Sequence, residues 1–274
     1  MNESIATARD GLPAVRVAGP WRFWREAVRA VVLLGMREIR TAMRTPAYLL
    51  PNLLVPMFFY FVMVGSLEEF ASRSGIENWQ AFQMPVAIVF AVQGGSAGLN
   101  MVADIESGYF DKLLLTPANR LSILIGAMAA DFVRIMIQAT LVLAVALATG
   151  MDFATGLPGA VVLVLLSSCW GLAYSAIGFA VALKTGNSQA TQSMWALFIP
   201  FMFLTTAFAP KEALSGWLAT AASFNPMTYL LRGMRSLSMT GWDATDLGVA
   251  ALAVACLGLV TITLAFLALR GRVR

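Results

Sequence analysis

The chain has 274 residues, of which 59% are hydrophobic and only 12% are charged. Soluble domains carry about 25% charged residues, so this composition excludes a water-soluble globular protein and is typical of a chain solvated by lipid. The sequence contains no histidine, which removes the usual general base and a common zinc or haem ligand. We therefore predict an all-α, polytopic integral membrane protein with no catalytic residues and no metal site.

Cysteines, nucleotide motifs and charge placement narrow the function further. Cys169 and Cys256 both lie inside apolar runs, where we expect them to act as small packing residues. No G-x-x-x-x-G-K-[ST] phosphate-binding loop occurs in the sequence, so any ATP must be bound by another chain. The net charge of +4 does not indicate nucleic-acid binding, because the basic residues cluster at the chain ends and between apolar spans.

The segment before the first apolar span divides into two parts. Residues 1–20 are polar and contain glycine and proline, which predicts a flexible cytoplasmic N-terminus. Residues 21–44 predict an amphipathic helix lying in the headgroup plane, because basic and apolar side chains separate at about 100° per residue. Its basic face contains Arg22, Arg25, Arg29, Arg40 and Arg44. The alternative, a true span beginning within 27–36, is too short, since a bilayer core needs about 20 residues.

Six apolar stretches follow, and each predicts a transmembrane helix. The predicted spans cover 47–65, 83–103, 121–149, 159–183, 191–209 and 247–269. Lysine and arginine are concentrated before the first span, within 104–120 and at the chain end, so the positive-inside rule places both termini in the cytoplasm. Between the last two spans, residues 210–241 predict short helices on the outer side, the second starting at Asn225 as N-cap with Pro226 as its first residue.

A glycine pair and a polar group in or near the spans can each serve helix structure or line a substrate path. Gly94 and Gly98 form a small-xxx-small pair, which allows close helix packing or lines a substrate path. The fifth span opens on a polar group, which caps the helix or faces substrate. That group contains Gln189, Thr191, Gln192 and Ser193.

Two pairs of charged residues lie in or near spans, and each pair is three residues apart on one helix face. Asp131 and Arg134 are expected to form an ion pair near the cytoplasmic surface, because an unpaired charge in the membrane is costly. Arg232 and Arg235 are expected to snorkel towards outer headgroups, or alternatively to hold an anionic substrate or lipid at the exit.

The segment 104–120 is the most charged interior stretch and separates the second and third spans. Acidic residues and Lys112 precede three leucines, and Thr116-Pro117 ends the apolar run because proline disfavours helix in the residue before it. This pattern predicts a short helix with one charged and one apolar side. From the residues alone, such a helix is either an ordinary solvated loop or an element that inserts into a groove on a soluble partner.

The stretch DIESGYFDKLLLTPANRLSILIGAMAADFVR, residues 104–134, resembles the signature loop of type-2 ABC exporter permeases, especially the daunorubicin-resistance branch. The later stretch NPMTYLLRGMRSL resembles the family's segment after its fifth helix. The resemblance covers nearly the whole chain and implies that residues of 104–120 couple the permease to an ATPase. Those residues are Asp104, Glu106, Gly108, Asp111, Lys112, Leu114, Leu115, Thr116, Pro117 and Arg120.

The resemblance also implies an assembly. Residues 21–274 would form one transmembrane domain that pairs with a second permease chain as a homodimer in the bacterial plasma membrane lipid. Two copies of an ABC ATPase subunit would bind ATP and magnesium, while this chain binds no cofactor. Residues 210–241 would be re-entrant from outside, and the second and fifth spans would line the path. The exported substrate would be amphipathic and drug-like or lipid-like, with a lipid-linked glycan as the alternative.

Two other classes of membrane protein fit the sequence less well. A channel or secondary transporter would use buried ions, broken helices or a selectivity lining, and the sequence shows no ring of acids and no glycine-rich filter. A membrane enzyme would need a Ser/His dyad or a pair of intramembrane aspartates. The sequence contains neither.

Overall fold

The computed structural model describes residues 32, 36, 40, 46–66, 76, 78–93, 98–114 and 120–272. Within these ranges the chain is helical and contains no strand, so the predicted all-α class is confirmed. The helices are α1 Pro46–Ser66, α2 Trp79–Gln93, α3 Leu99–Glu106, α4 Tyr109–Leu114, α5 Arg120–Ala148, α6 Gly156–Thr185, α7 Ser188–Phe203, α8 Gly216–Phe224, α9 Pro226–Arg235 and α10 Ala244–Arg272.

Three helices in the described part of the chain are long and apolar enough to cross a membrane. They cover Ile123–Ala148, Gly156–Thr185 and Ala244–Arg272, and a shorter apolar helix covers Leu53–Ser66. At about 1.5 Å per residue, the three long helices exceed a hydrocarbon core of about 30 Å. This architecture is that of a polytopic membrane protein.

The prediction of one continuous second span over 83–103 is wrong. The structure has two helices here, with α2 ending at Gln93 and α3 beginning at Leu99 after Gly98. Gly98 adopts φ 74°, a left-handed conformation that glycine reaches without strain. A Cβ on Gly98 would lie 2.5 Å from the carbonyl carbon of Gly178 in α6, so the two backbones touch at this break. Gly94 lies outside the described residues.

The predicted fifth span over 191–209 also ends earlier than expected, because α7 stops at Phe203. The buried side chain of Asn225 donates hydrogen bonds to the carbonyl oxygens of Phe201, at 2.8 Å, and Leu204, at 3.0 Å. These bonds satisfy carbonyls that a longer helix would have used itself. As predicted, Asn225 also caps α9, since its side chain accepts a hydrogen bond from the Met227 N–H at 3.0 Å.

Helix α6 lies at the centre of the bundle and packs against α10, α5, α2 and α7. Two apolar clusters are stacked along it. The larger surrounds Trp170, which is fully buried, and the smaller surrounds Phe179 and Leu183 near the end of α6. The smaller cluster contains Leu269 of α10, so we call this end of the molecule the C-terminal end of the bundle.

The ion pair predicted between Asp131 and Arg134 is confirmed. Both side chains are buried inside the bundle on α5. Pairing within one helix face allows two opposite charges to be enclosed there without an isolated charge.

The predicted interfacial helix 21–44 falls mostly outside the described residues, and Arg22, Arg25 and Arg29 lie there. Val32, Met36 and Arg40 are described as helical and exposed. Residues 1–20 also lie outside the described part of the chain.

Candidate functional site around residues 104–120

A tight turn joins α3 to α4 at the C-terminal end of the bundle. The Ser107 N–H donates to the Ala103 carbonyl and the Gly108 N–H to the Ile105 carbonyl, each at 3.0 Å. Gly108 has φ 68°, and a Cβ added to it would meet no atom within 4 Å. A glycine is therefore favoured at this position by its backbone conformation alone, not by crowding.

Helix α4 has one buried and two exposed side chains among those that the structure describes. Phe110 is only 1% exposed and packs in the smaller apolar cluster with Leu124, Phe179, Leu183 and Leu269. Tyr109 is 52% exposed, and Lys112 is also exposed. One side of this short helix is thus anchored in the core, while Tyr109 and Lys112 are exposed.

The end of α3 contacts the start of α7. The Glu106 carboxylate accepts a hydrogen bond from the backbone N–H of Ser188 at 3.2 Å. The neighbouring Asn187 side chain accepts from the Ala190 N–H at 3.0 Å. Side chains therefore satisfy two of the N–H groups that a helix leaves unpaired in its first turn.

Arg272 connects the end of α10 to the same region. Its guanidinium donates to the Leu183 carbonyl at 3.1 Å, close to the end of α6. The guanidinium carbon also lies 6.0 Å from the centre of the Phe110 ring. A cation at a helix C-terminus is electrostatically favourable, so Arg272 holds α6, α10 and α4 together.

The remaining predicted coupling residues lie as follows. Asp104 is part of α3 and is partly buried. Asp111 and Leu114 belong to α4, and Arg120 is the first residue of α5. The predicted coupling residues Leu115, Thr116 and Pro117 lie outside the described residues.

Three of the four residues in the polar group at the start of α7 are exposed. They are Gln189, Gln192 and Ser193, and the last two lie three and four residues after Gln189, so all three are on one side of the helix. Thr191 is buried instead. Since Asn187 and Glu106 supply the side-chain caps, capping does not account for this polar face.

The predicted pair Arg232 and Arg235 separates in the structure. Arg232 is exposed and forms an ion pair with Asp246 at 2.5 Å. The expectation that Arg235 also reaches outward is wrong, because its guanidinium donates to the carbonyl oxygens of Phe82, Thr206 and Ala207 at 3.1, 2.8 and 3.2 Å. It also stacks on the Phe82 ring at 3.5 Å. Arg235 thus connects α9 to α2 and to the segment after α7, at the end of the bundle opposite to α4.

Three residues with contacts at the C-terminal end of the bundle were not predicted from the sequence. Asn187 precedes α7 in the position typical of an N-cap, and this signal could have been recognised. Ser188 and Arg272 carry no such local signal, because their contacts join helices that are distant in the sequence.

Comparison with known proteins gives matches over most of the chain. The family model described as ABC-2 type transporter matches residues 29–239. The daunorubicin resistance ABC transporter permease protein DrrB1 of Streptomyces coeruleorubidus is 25% identical over 239 residues, which are 86% of this chain and 84% of the relative. The putative transport permease ycf38 of Porphyra purpurea is 25% identical over 244 residues, 85% of this chain and 82% of the relative. The probable doxorubicin resistance ABC transporter permease protein DrrC of Mycobacterium tuberculosis is 22% identical over 157 residues, 57% of each chain.

The matched range contains α1 to α9 and the whole of 104–120. It therefore includes helix α4, the Glu106 contact with α7 and the Arg235 contacts at the opposite end. The chain belongs to the ABC-2 type transporter family, whose members are the transmembrane permease subunits of ABC transporters.

Proposed function

We propose that this chain is the permease of an ABC exporter that moves an amphipathic, drug-like or lipid-like substrate out across the bacterial plasma membrane. The proposal rests on the arrangement of α4, in which Phe110 is buried in the core while Tyr109 and Lys112 are exposed. A rigidly held helix with a free polar side is suited to transmit force from a soluble subunit. The family implies partnership with an ABC ATPase, and the proposal places that ATPase on α4.

Transport is driven by ATP hydrolysis on a separate ATPase subunit, two copies of which bind ATP and magnesium. Support comes from the sequence, which lacks a phosphate-binding loop. Closure of the ATPase subunits on ATP would push α4, and the shared apolar cluster would pass the movement to the ends of α5, α6 and α10. Both termini are cytoplasmic in this arrangement, so α4 faces the ATPase and Arg235 lies on the outer side.

The substrate path runs between two copies of this chain and is lined by α2 and α7. Each copy has six spans and a re-entrant segment over 210–241. The exposed polar face of Gln189, Gln192 and Ser193 supports this role for α7, because lipid would not solvate that face. The names of two relatives, the daunorubicin and doxorubicin resistance permeases, support a drug-like cargo. A lipid-linked glycan is the alternative cargo, since the same path would serve a polar group with an apolar tail.

Purification and reconstitution test this proposal. The tagged chain is purified from membranes of its natural host, co-purified chains are identified, and the complex is reconstituted into phospholipid vesicles with doxorubicin as the transport probe. We expect a chain with a phosphate-binding loop to co-purify, and ATP to drive doxorubicin into vesicles whose ATPase subunits face outward. Purification without such a chain would overturn the exporter assignment. ATP hydrolysis without doxorubicin uptake would overturn the drug-like cargo.

A further inference from the structure

Glu106 and Ser188 are 82 positions apart in the sequence, yet they connect the last residue of α3 to the first residue of α7. The contact runs from the Ser188 N–H to the carboxylate at 3.2 Å. On the proposed function, it joins the segment that receives the ATPase to a helix that lines the substrate path. A direct hydrogen bond between two such elements is a route for mechanical transmission.

The chemistry of the contact favours a side-chain oxygen that accepts a hydrogen bond. The positive end of a helix dipole and unpaired N–H groups lie at the start of α7. Asn187 satisfies the Ala190 N–H, which leaves the Ser188 N–H for the Glu106 carboxylate. Glu106 is exposed, and one of its carboxylate oxygens accepts the hydrogen bond from α7.

The surrounding structure determines what Glu106 moves with. The turn at Ser107 and Gly108 fixes α3 to α4, and Phe110 fixes α4 to the core. Displacement of α4 therefore carries Glu106 with it, and the start of α7 follows. We propose that Glu106 is a positioning residue that transmits movement of α3 and α4 to α7, a role that rests on the proposed function and differs from gripping the ATPase.

The two roles predict different behaviour for a neutral side chain of the same shape. Glu106→Gln retains an amide oxygen that accepts from the Ser188 N–H, whereas Glu106→Ala removes the acceptor. A glutamate that grips a cation of the ATPase would lose its partner in both variants. A glutamate that holds α7 would lose it only in the alanine variant.

The test uses the reconstituted complex with doxorubicin as the probe. We expect Glu106→Ala to keep its ATPase bound but to lower the ratio of transport to ATP hydrolysis by about fivefold, as expected for loss of one helix-capping hydrogen bond. Glu106→Gln should restore most of that ratio. If both variants lose the ATPase equally, or if Glu106→Ala transports like wild type, the transmission role is overturned.

Hydrogen exchange of the purified chain gives a readout that does not depend on an ATPase. The Ser188 amide should exchange about two- to fivefold faster in Glu106→Ala than in wild type, and close to the wild-type rate in Glu106→Gln, which keeps the hydrogen-bond acceptor. Unchanged exchange in Glu106→Ala would overturn the contact itself. If the exchange result holds but wild type shows no ATP-driven uptake, the proposed function fails while the contact stands.

Asp243→Ala is the matched control. The Asp243 carboxylate accepts from the N–H groups of Thr245 and Asp246, at 2.8 and 3.0 Å, at the start of α10. It is therefore a carboxylate cap of the same chemical kind at the opposite end of the bundle. We expect this variant to speed exchange only at the start of α10 and to leave the transport ratio unchanged. A fall in that ratio equal to that of Glu106→Ala would show that loss of any helix cap uncouples transport, which would overturn the specific role of Glu106.

Discussion

Replacing Gly98 by alanine tests the break between α2 and α3. Gly98 has φ 74°, and a Cβ at this position would lie 2.5 Å from both the carbonyl carbon and the oxygen of Gly178. Those atoms belong to the backbone of α6 and cannot rotate away. A left-handed alanine costs about 1–2 kcal/mol, and overpacking adds about 1–3 kcal/mol. We therefore expect Gly98→Ala to destabilise the protein by about 2–5 kcal/mol.

Gly108→Ala is the matched control, because it changes conformation without crowding. Gly108 has φ 68° and no atom within 4 Å of an added Cβ, so only the conformational cost of about 1–2 kcal/mol applies. The assay is the midpoint temperature for loss of the monodisperse peak in detergent. At about 2–4 °C per kcal/mol, Gly98→Ala should melt about 2–12 °C below Gly108→Ala. Equal midpoints for the two variants would show that the backbones of α3 and α6 do not touch.

Three further predictions follow from the structure and the sequence. Arg235→Met should destabilise the protein by about 1.5–3 kcal/mol or more, because three carbonyl oxygens lose a charged donor. The control, Arg232→Met at the exposed ion pair, should cost at most about 1 kcal/mol. Equal melting temperatures for the two variants would contradict this prediction. Membrane orientation can be tested in a variant in which Cys169 and Cys256 are replaced by alanine. A cysteine introduced at Lys211 should react with an impermeant maleimide in intact cells, whereas a cysteine introduced at Lys112 should react only after permeabilisation. The reverse pattern would show that the chain has the opposite orientation in the membrane. The purified chain alone should hydrolyse no ATP, and activity that survives removal of contaminating ATPases would refute that statement.

The helices could largely be predicted from the sequence because their signals are local. Long apolar runs predicted α5, α6 and α10, and the Asn225-Pro226 pair predicted where α9 begins. The spacing of Asp131 and Arg134 was sufficient to predict their ion pair, since both lie on one helix face. The motif in 104–120 also predicted a short helix, and the structure has α4 in this segment.

The errors occurred where a distant part of the chain decides the local structure. The break at Gly98 depends on close contact with Gly178 in another helix. The end of α7 depends on Asn225, which satisfies the carbonyls there, and Arg235 turns inward to carbonyls of two other segments. The Glu106 contact with Ser188 has the same origin, so neither periodicity nor spacing could have indicated it.

Site-specific photo-crosslinking tests the central claim, that α4 receives the ATPase, most directly. A photoreactive group is placed at Lys112 or at Lys211, two exposed lysines on α4 and on the segment that precedes α8. After illumination of the assembled complex, the account predicts an ATPase adduct from position 112 and none from position 211. An adduct from position 211, or none from position 112 while the ATPase remains bound, would contradict it.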